Sequence, residues 1–375
     1  MKNSEAGATA ARLPSGATLT IDLDAVAANY RRLAERAARA ECAAVVKADA
    51  YGLGMAEVAA SLSGAGCRSF FVALADEGAA LRRVLPDSDI YVLNGALAGD
   101  EPVFVEHRLI PVLNDLGRIE DWARAGRAQA PIPGAVQIDT GMSRLGLPPD
   151  EVARLADEPA RLDGIELRLM MSHLACSDQP DNPMNAAQRD EFRERSRHLP
   201  RAPASLANSS AIFLGPDFHF DMVRPGAALY GVNPCPGTEN VMAPCVHLAA
   251  PIVQVRDIDS PRAVGYGASH RVTRPTRIAT IAIGYADGYL RSLSNRGHCY
   301  IGDIKVPVVG RVSMDLLTLD VSAVAPDRAR PGAIVDIISA RHTVDDLAAE
   351  AGTIGYEILT SLGPRYRRRY SGGGG

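Results

Sequence analysis

From residue 23 to about residue 245, short apolar runs alternate with amphipathic helical stretches. Asp24 is expected to cap a first helix, because Val26, Tyr30, Leu33 and Ala37 then fall on one helical face. An apolar run follows at 42–46 and stops at Lys47, and a glycine-flanked helix is expected near 55–63. The alternation continues with apolar runs at 70–73, 90–93, 109–113, 135–138, 167–171, 204–207 and 222–229. Together with 42–46 these make eight buried strands separated by helices, the pattern of an α/β (β/α)8 TIM-like barrel. A doubly wound sheet also fits an alternation of this kind, but the number of runs and a span of roughly 220 residues favour the barrel.

The texture changes after residue 245. PIVQVRDI, RIATIAIGY, IKVPVVG, LLTLDV and AIVDII are short, β-branched and broken by Gly, Pro and Asp, which predicts a mostly antiparallel β-domain. Helices are expected to interrupt it near 344–350 and 356–362. The N-terminal ATLTIDL reads as one more strand, either opening the barrel or pairing with the β-domain. The expected division is therefore a barrel over 17–245, a C-terminal β-domain over 246–370, and flexible tails at 1–16 and 371–375.

Composition adds exclusions. A hydrophobic fraction of 47% with 22% charged residues is that of an ordinary globular enzyme. The formal charge of -4 gives no reason to expect a nucleic-acid partner, and the basic cluster at 365–369 reads as a solvated face or a set of local ion pairs. Cys42, Cys67, Cys176, Cys235, Cys245 and Cys299 are scattered, as expected of free thiols in a cytoplasmic protein. No stretch is long enough to span a membrane, and MKNSEAGATAARLPSG lacks the apolar core of a leader peptide. No His, Cys, Asp and Glu cluster has metal-ligand spacing, so no catalytic metal is expected.

Polar residues at the C-terminal ends of barrel strands start with a functional bias. Lys47 is one of them. A lysine ending an apolar run is often only a snorkelling surface residue, but this one precedes the turn-like Asp49-Ala50-Tyr51-Gly52, and a partly desolvated lysine at a barrel mouth suits Schiff-base chemistry. The seventh run leads into Asn208-Ser209-Ser210, and the eighth contains Arg224-Pro225-Gly226-Ala227. Phosphate groups often sit at these two loops in such barrels. Both segments could equally be structural turns; combined with a Schiff-base lysine they suggest pyridoxal phosphate.

The motifs VVKADAYGLG, DTGMSRLG, SHLACSD, LANSSA, MVRPGAALYG, VGYGASH, IGYADGYLR, GRVSMD and GTIGYEIL occur in the order found in alanine racemases, and the chain resembles that family from about residue 17 to 370. The resemblance implies a pyridoxal-phosphate-dependent racemase with two bases: Lys47, which also carries the cofactor as a Schiff base, and Tyr266, on the opposite face of the substrate. It places Tyr51, Asn208, Ser209, Gly226, Ala227 and Tyr356 around the cofactor and Arg224 at its ring nitrogen. His173 would lie in a relay between Arg224 and Tyr266. Arg144 would approach the cofactor's phenolic oxygen and, together with the Met314 backbone, the substrate carboxylate. Tyr285, Asp178, Arg291 and Arg311 would line a gate. The resemblance further implies a homodimer whose chains share their active sites, acting on an amino-acid substrate.

Three positions depart from the family pattern. Gln137 replaces a lysine that is often carbamylated in relatives, so support for Arg144 has to come from a neutral amide. Leu53 and Ser205 stand where histidines are common. Rival readings are a broader racemase that also accepts serine, a decarboxylase of the same architecture, and a non-catalytic pyridoxal-phosphate carrier. Arg224 and GRVSMD argue against the decarboxylase, which needs an acidic partner for the ring nitrogen and a reactive cysteine. The appended domain with Tyr266 and Met314 argues against the carrier.

Overall fold

The computed structural model describes residues 16–128, 130–259 and 261–373. The expected N-terminal tail and the absence of a leader fall almost wholly outside those residues, as do residues 374 and 375. The chain forms two compact units, one of residues 16–19, 247–338 and 363–369, the other of residues 20–246, 339–362 and 370–373.

The second unit is built on nine parallel strand segments: Glu41–Cys42, Ala44–Val45, Ser69–Val72, Asp89–Val92, Ile110–Leu113, Ile132–Gln137, Ile165–Met171, Ala204–Asn208 and Met222–Arg224. The first two are halves of one strand. Glu41–Cys42 pairs with Met222–Arg224 and Ala44–Val45 with Ser69–Val72. Between and beyond them the Ala43 N–H donates to the Val223 carbonyl and the Val45 N–H to the Pro225 carbonyl, both at 2.9 Å. Pairing on both edges of this strand closes the sheet, and the architecture is a (β/α)8 barrel. Its strands are covered on both faces, which is why they read as continuous apolar runs rather than as alternations; Phe70, Phe71, Val72, Ile90 and Val92 are all fully buried.

Two local expectations are corrected. Asp22, not Asp24, caps the first helix, Leu23–Ala37, its carboxylate accepting the Ala25 N–H at 3.0 Å; Asp24 falls in the first turn, where an acid is equally favourable. The run at 222–229 is a strand only as far as Arg224, because Pro225 has no N–H to donate; Ala227–Tyr230 is instead a 3-10 turn. The two helices expected within the β-domain, Val344–Ala351 and Gly355–Ser361, pack with the barrel unit.

The other unit is mostly antiparallel. Its long strand Val246–Ile258 pairs first with Ile334–Ile338 and then, past Ile252, with Thr276–Ile281, which in turn pairs with Leu317–Asp320. His298–Ile301 and Ile304–Pro307 extend the sheet on one side, and Thr18–Asp22 joins it beside Arg367–Ser371. A separate hairpin of Arg262–Val264 and His270–Val272 carries Tyr266 at its tip. Arg365, in the basic cluster, forms local ion pairs with Asp287 and Asp315. Among the expected tail residues, Gly373 donates its N–H to Asp24 at 3.0 Å. Among the described residues all six cysteines are free, and no helix is long and apolar enough to cross a membrane.

Candidate active site

Lys47 leaves the barrel strand into an uncommon turn. Ala48, Asp49, Ala50 and Tyr51 all lie in the left-handed region, with φ between 53° and 56°. Non-glycine residues held there cost about 1–2 kcal/mol each, so the surroundings must impose the conformation. The Ala50 N–H donates to the Val46 carbonyl at 2.9 Å, the Asp49 carboxylate accepts the Met55 N–H at 2.8 Å, and the Glu77 carboxylate accepts the Ala48 N–H at 2.7 Å. Gly52 completes the turn against the helix Gly355–Ser361, where a Cβ would sit 2.5 Å from the Leu359 carbonyl oxygen. The result is that Lys47 and Tyr51, four residues apart, line the same cavity of about 700 Å³.

Ten of the expected site residues line that cavity: Lys47, Tyr51, Arg144, His173, Asn208, Ser209, Arg224, Gly226, Ala227 and Tyr356. Ser209 Oγ accepts the N–H groups of Gly226 and Ala228 at 2.9 and 3.3 Å. A Cβ on Gly226 would lie 2.4 Å from the Tyr51 hydroxyl, so only glycine leaves this approach open. The Tyr51 and Tyr356 rings follow, with centroids 6.0 Å apart. A cradle of hydroxyls and backbone amides with the positive groups Lys47, Arg144 and Arg224 around it matches a small phosphorylated ligand. Burial, then Asp178 and Asp345, push the Tyr356 phenol up.

Arg224 is buried at the cavity wall, and its partners are neutral oxygens. Nη2 donates to the Ser172 carbonyl at 2.7 Å and Nη1 to Ser205 Oγ, which itself donates to the Met222 carbonyl at 2.6 Å. Ser205 thus acts as an acceptor for the guanidinium. Burial lowers the Arg224 pKa from its ordinary value without bringing it near neutrality. Burial together with the cations Arg224, Arg144 and Lys47 drives the His173 imidazole down to about 3, so the ring is neutral at pH 7. Gln188, buried on the helix Pro183–Ser196, donates to the His173 carbonyl at 3.0 Å and to Thr140 Oγ1 at 3.3 Å. Thr140 in turn shares a 2.8 Å hydrogen bond with Ser172.

Arg144 sits in a loop folded around Asp139, whose Oδ1 accepts the N–H groups of Gly141, Met142 and Ser143 at 2.9–3.1 Å. Gln137 donates to the Leu145 carbonyl at 3.0 Å. The neutral amide therefore secures the backbone beside Arg144 rather than its guanidinium. Burial and Arg144 lower the Lys47 pKa, against an opposing pull from Glu77. Sequence reading overlooked Glu77, and also a signal in plain view: the chain has three lysines, Lys2, Lys47 and Lys305, against many arginines.

Tyr266, Tyr285, Arg291, Arg311 and Met314 belong to the other unit and converge there. A Cβ on Gly267, beside Tyr266, would lie 3.2 Å from the Arg311 guanidinium carbon. The N–H groups of Tyr285 and Ala286 donate to the carbonyls of Ser313 and Met314 at 3.0 Å. Ser294 Oγ joins the Arg291 turn to this group, donating to the Arg291 carbonyl and accepting the Val312 N–H. Tyr266 is 72% exposed within its chain and Met314 53%. Asp315, beside Met314, is held by Arg365 at 2.7 Å.

Family models described as the alanine racemase N-terminal and C-terminal domains match residues 21–234 and 245–370. An alanine racemase of Acidiphilium cryptum is 53% identical over 352 residues, covering 94% of this chain and 98% of its own. A catabolic alanine racemase of Mesorhizobium japonicum is 50% identical over 361 residues, covering 96% and 94%. The crystal structure of alanine racemase from Bartonella henselae, with covalently bound pyridoxal phosphate, has a TM-score of 0.92 at 42% identity, covering 95% of this chain and 100% of its own.

Proposed function

The chain belongs to the alanine racemase family and interconverts L- and D-alanine with pyridoxal phosphate, and we propose that Lys47 and Tyr266 are its two bases. The observation that carries this reading is the gathering of Lys47 with nine other expected cofactor and substrate residues on one cavity. Racemisation removes a proton from one face of Cα and returns one to the other, so a base is needed on each face. Lys47 Nζ takes the α-proton of D-alanine and Tyr266 Oη that of L-alanine. When bound, pyridoxal phosphate supplies the electron sink that makes this proton acidic.

Tyr51, Asn208, Ser209, Gly226, Ala227 and Tyr356 hold the cofactor, chiefly at its phosphate, and Lys47 binds it covalently. A lowered lysine pKa favours the neutral amine this bond requires. Arg224 would meet the ring nitrogen of the bound cofactor; a guanidinium has no proton-accepting site, so it would leave that nitrogen unprotonated and disfavour transamination. His173, neutral, links Arg224 to Tyr266. Arg144 and the Met314 backbone bind the substrate carboxylate, and Tyr285, Asp178, Arg291 and Arg311 line the approach.

Lys47 and Tyr266 lie in different units of the chain, and we assign their meeting to a homodimer in which each barrel mouth is capped by the partner's β-unit. Exposure supports this: Leu74, Leu97, Leu145 and Ile354 stand open on the loops and helices of the barrel unit, and Tyr266, Tyr285, Met314 and Leu316 on the β-unit. An enzyme that handles a carbanion gains from such coverage. The six free cysteines fit a reducing, cytoplasmic setting. Borohydride reduction followed by peptide mapping tests the cofactor assignment. The adduct is expected on Lys47, and its recovery on Lys2 or Lys305 would overturn the reading.

A further inference from the structure

We propose that Glu77 is a positioning residue for Lys47, its carboxylate tying the left-handed turn that follows this lysine to the mouth end of the neighbouring barrel strand. Glu77 is the third residue of the helix Ala75–Val84, which follows the strand Ser69–Val72. One oxygen, Oε2, does what an acid at that place usually does and accepts the N–H groups of Ala73 and Leu74 at 2.8 and 3.1 Å. The other leaves the helix. Oε1 accepts the Ala48 N–H at 2.7 Å, and Ala48 is both the residue next to Lys47 and the first of the four left-handed residues.

That bond has more than capping to do. A left-handed stretch of four side-chain-bearing residues holds only where outside contacts impose it, and a charged acceptor makes the stronger kind of hydrogen bond. The carboxylate also favours the charged form of the lysine amine, against burial and Arg144, and Lys47 in turn acts on His173. Glu77 is therefore placed to set both where Lys47 emerges and how readily its amine holds a proton, without touching substrate or cofactor.

This inference rests on Lys47 being the cofactor lysine, and the test separates the two. Glu77→Gln keeps an oxygen that can accept the Ala48 N–H but removes the charge; Glu77→Ala removes both. Asp76→Asn, in the same helical turn, is the control. In the cofactor-free full chain, the pH dependence of Lys47 acetylation by acetic anhydride is followed by mass spectrometry, with Lys305 as an internal reference. The midpoint for Lys47 is expected to fall by about half a pH unit or more in both Glu77 variants and to stay put in Asp76→Asn. In the loaded enzyme, kcat for alanine should fall about tenfold in Glu77→Ala and less in Glu77→Gln, with KM within about twofold. Should Glu77→Ala fail to fold, Glu77→Gln still decides through the acetylation midpoint. An unmoved midpoint with unchanged kcat, or an equal shift in Asp76→Asn, would reduce Glu77 to a helix cap and overturn the proposal. Reductive trapping of the cofactor on another lysine in the wild-type enzyme would instead remove the reading on which it rests.

Discussion

Gln137 donates its side-chain amide to the Leu145 carbonyl at 3.0 Å, and so fixes the backbone one residue beyond Arg144. The remaining loop contacts converge on Asp139 and on backbone pairing of Leu147 with Gln137 and Asp139. Gln137→Leu keeps the bulk and removes the donor, leaving a carbonyl without its partner. About 1 kcal/mol is at stake. If that loss appears as looser substrate binding, KM for alanine rises about fivefold while kcat changes little. Steady-state kinetics in both directions check this, and an unchanged KM would show that Arg144 does not depend on Gln137.

Arg224 offers a change of reaction outcome rather than of rate alone. Replacing it with glutamate takes the donor from the Ser172 carbonyl, and Ser205 Oγ, whose one hydrogen goes to the Met222 carbonyl, could donate to the new carboxylate only by giving that bond up. Stability should fall by about 1–3 kcal/mol for each buried group left without its partner. In the fraction that folds, transamination should rise relative to racemisation, measured as pyruvate formed per racemisation turnover. An unchanged ratio would mean that Arg224 does not control the ring nitrogen.

The proposed shared-site dimer carries a quantitative prediction. Lys47→Ala and Tyr266→Phe homodimers each lack one base in both sites. After co-refolding at equal amounts, about half the dimers are mixed and each has one intact site, so activity should recover to roughly a quarter of wild type. Verified mixed dimers that remain inactive would place both bases in one chain.

The depressed pKa of His173, about 3 in the folded chain against 6.5 ordinarily, has a consequence for stability. Between these values the unfolded chain binds a proton that the folded chain does not, so stability is lost as pH falls from about 6.5 towards 3. His173→Asn removes this contribution. The melting temperature of the cofactor-free variant should decline less steeply than that of wild type over this window; parallel declines would contradict a buried, neutral His173.

Much of this was legible in the sequence because parallel barrel strands are buried on both faces and stand out as apolar runs. The run through Met222 to Leu229 misled at its end, since an apolar stretch looks alike whether it is a strand or a buried 3-10 turn, and only Pro225 marked the change. The helices around Val344 and Tyr356 follow β-segments in sequence but pack with the barrel, a tertiary choice that local pattern does not encode. The motif order pointed to Lys47 and Tyr266, and a chain with three lysines leaves few other candidates for a Schiff-base residue. Nothing local marked Glu77, whose contact with Ala48 spans 29 residues, or the left-handed turn itself, which contains no glycine before Gly52.

The two-base proposal assigns the α-proton of L-alanine to Tyr266 and that of D-alanine to Lys47. The most direct measurement is α-deuterium incorporation from heavy water into each enantiomer, made with wild type and with Tyr266→Phe loaded with cofactor. Exchange from L-alanine should fall at least about a hundredfold, while Lys47-dependent exchange into D-alanine, read as deuterated D-alanine before racemisation, persists. Equal loss from both enantiomers in a folded, cofactor-bound variant would contradict two opposed bases.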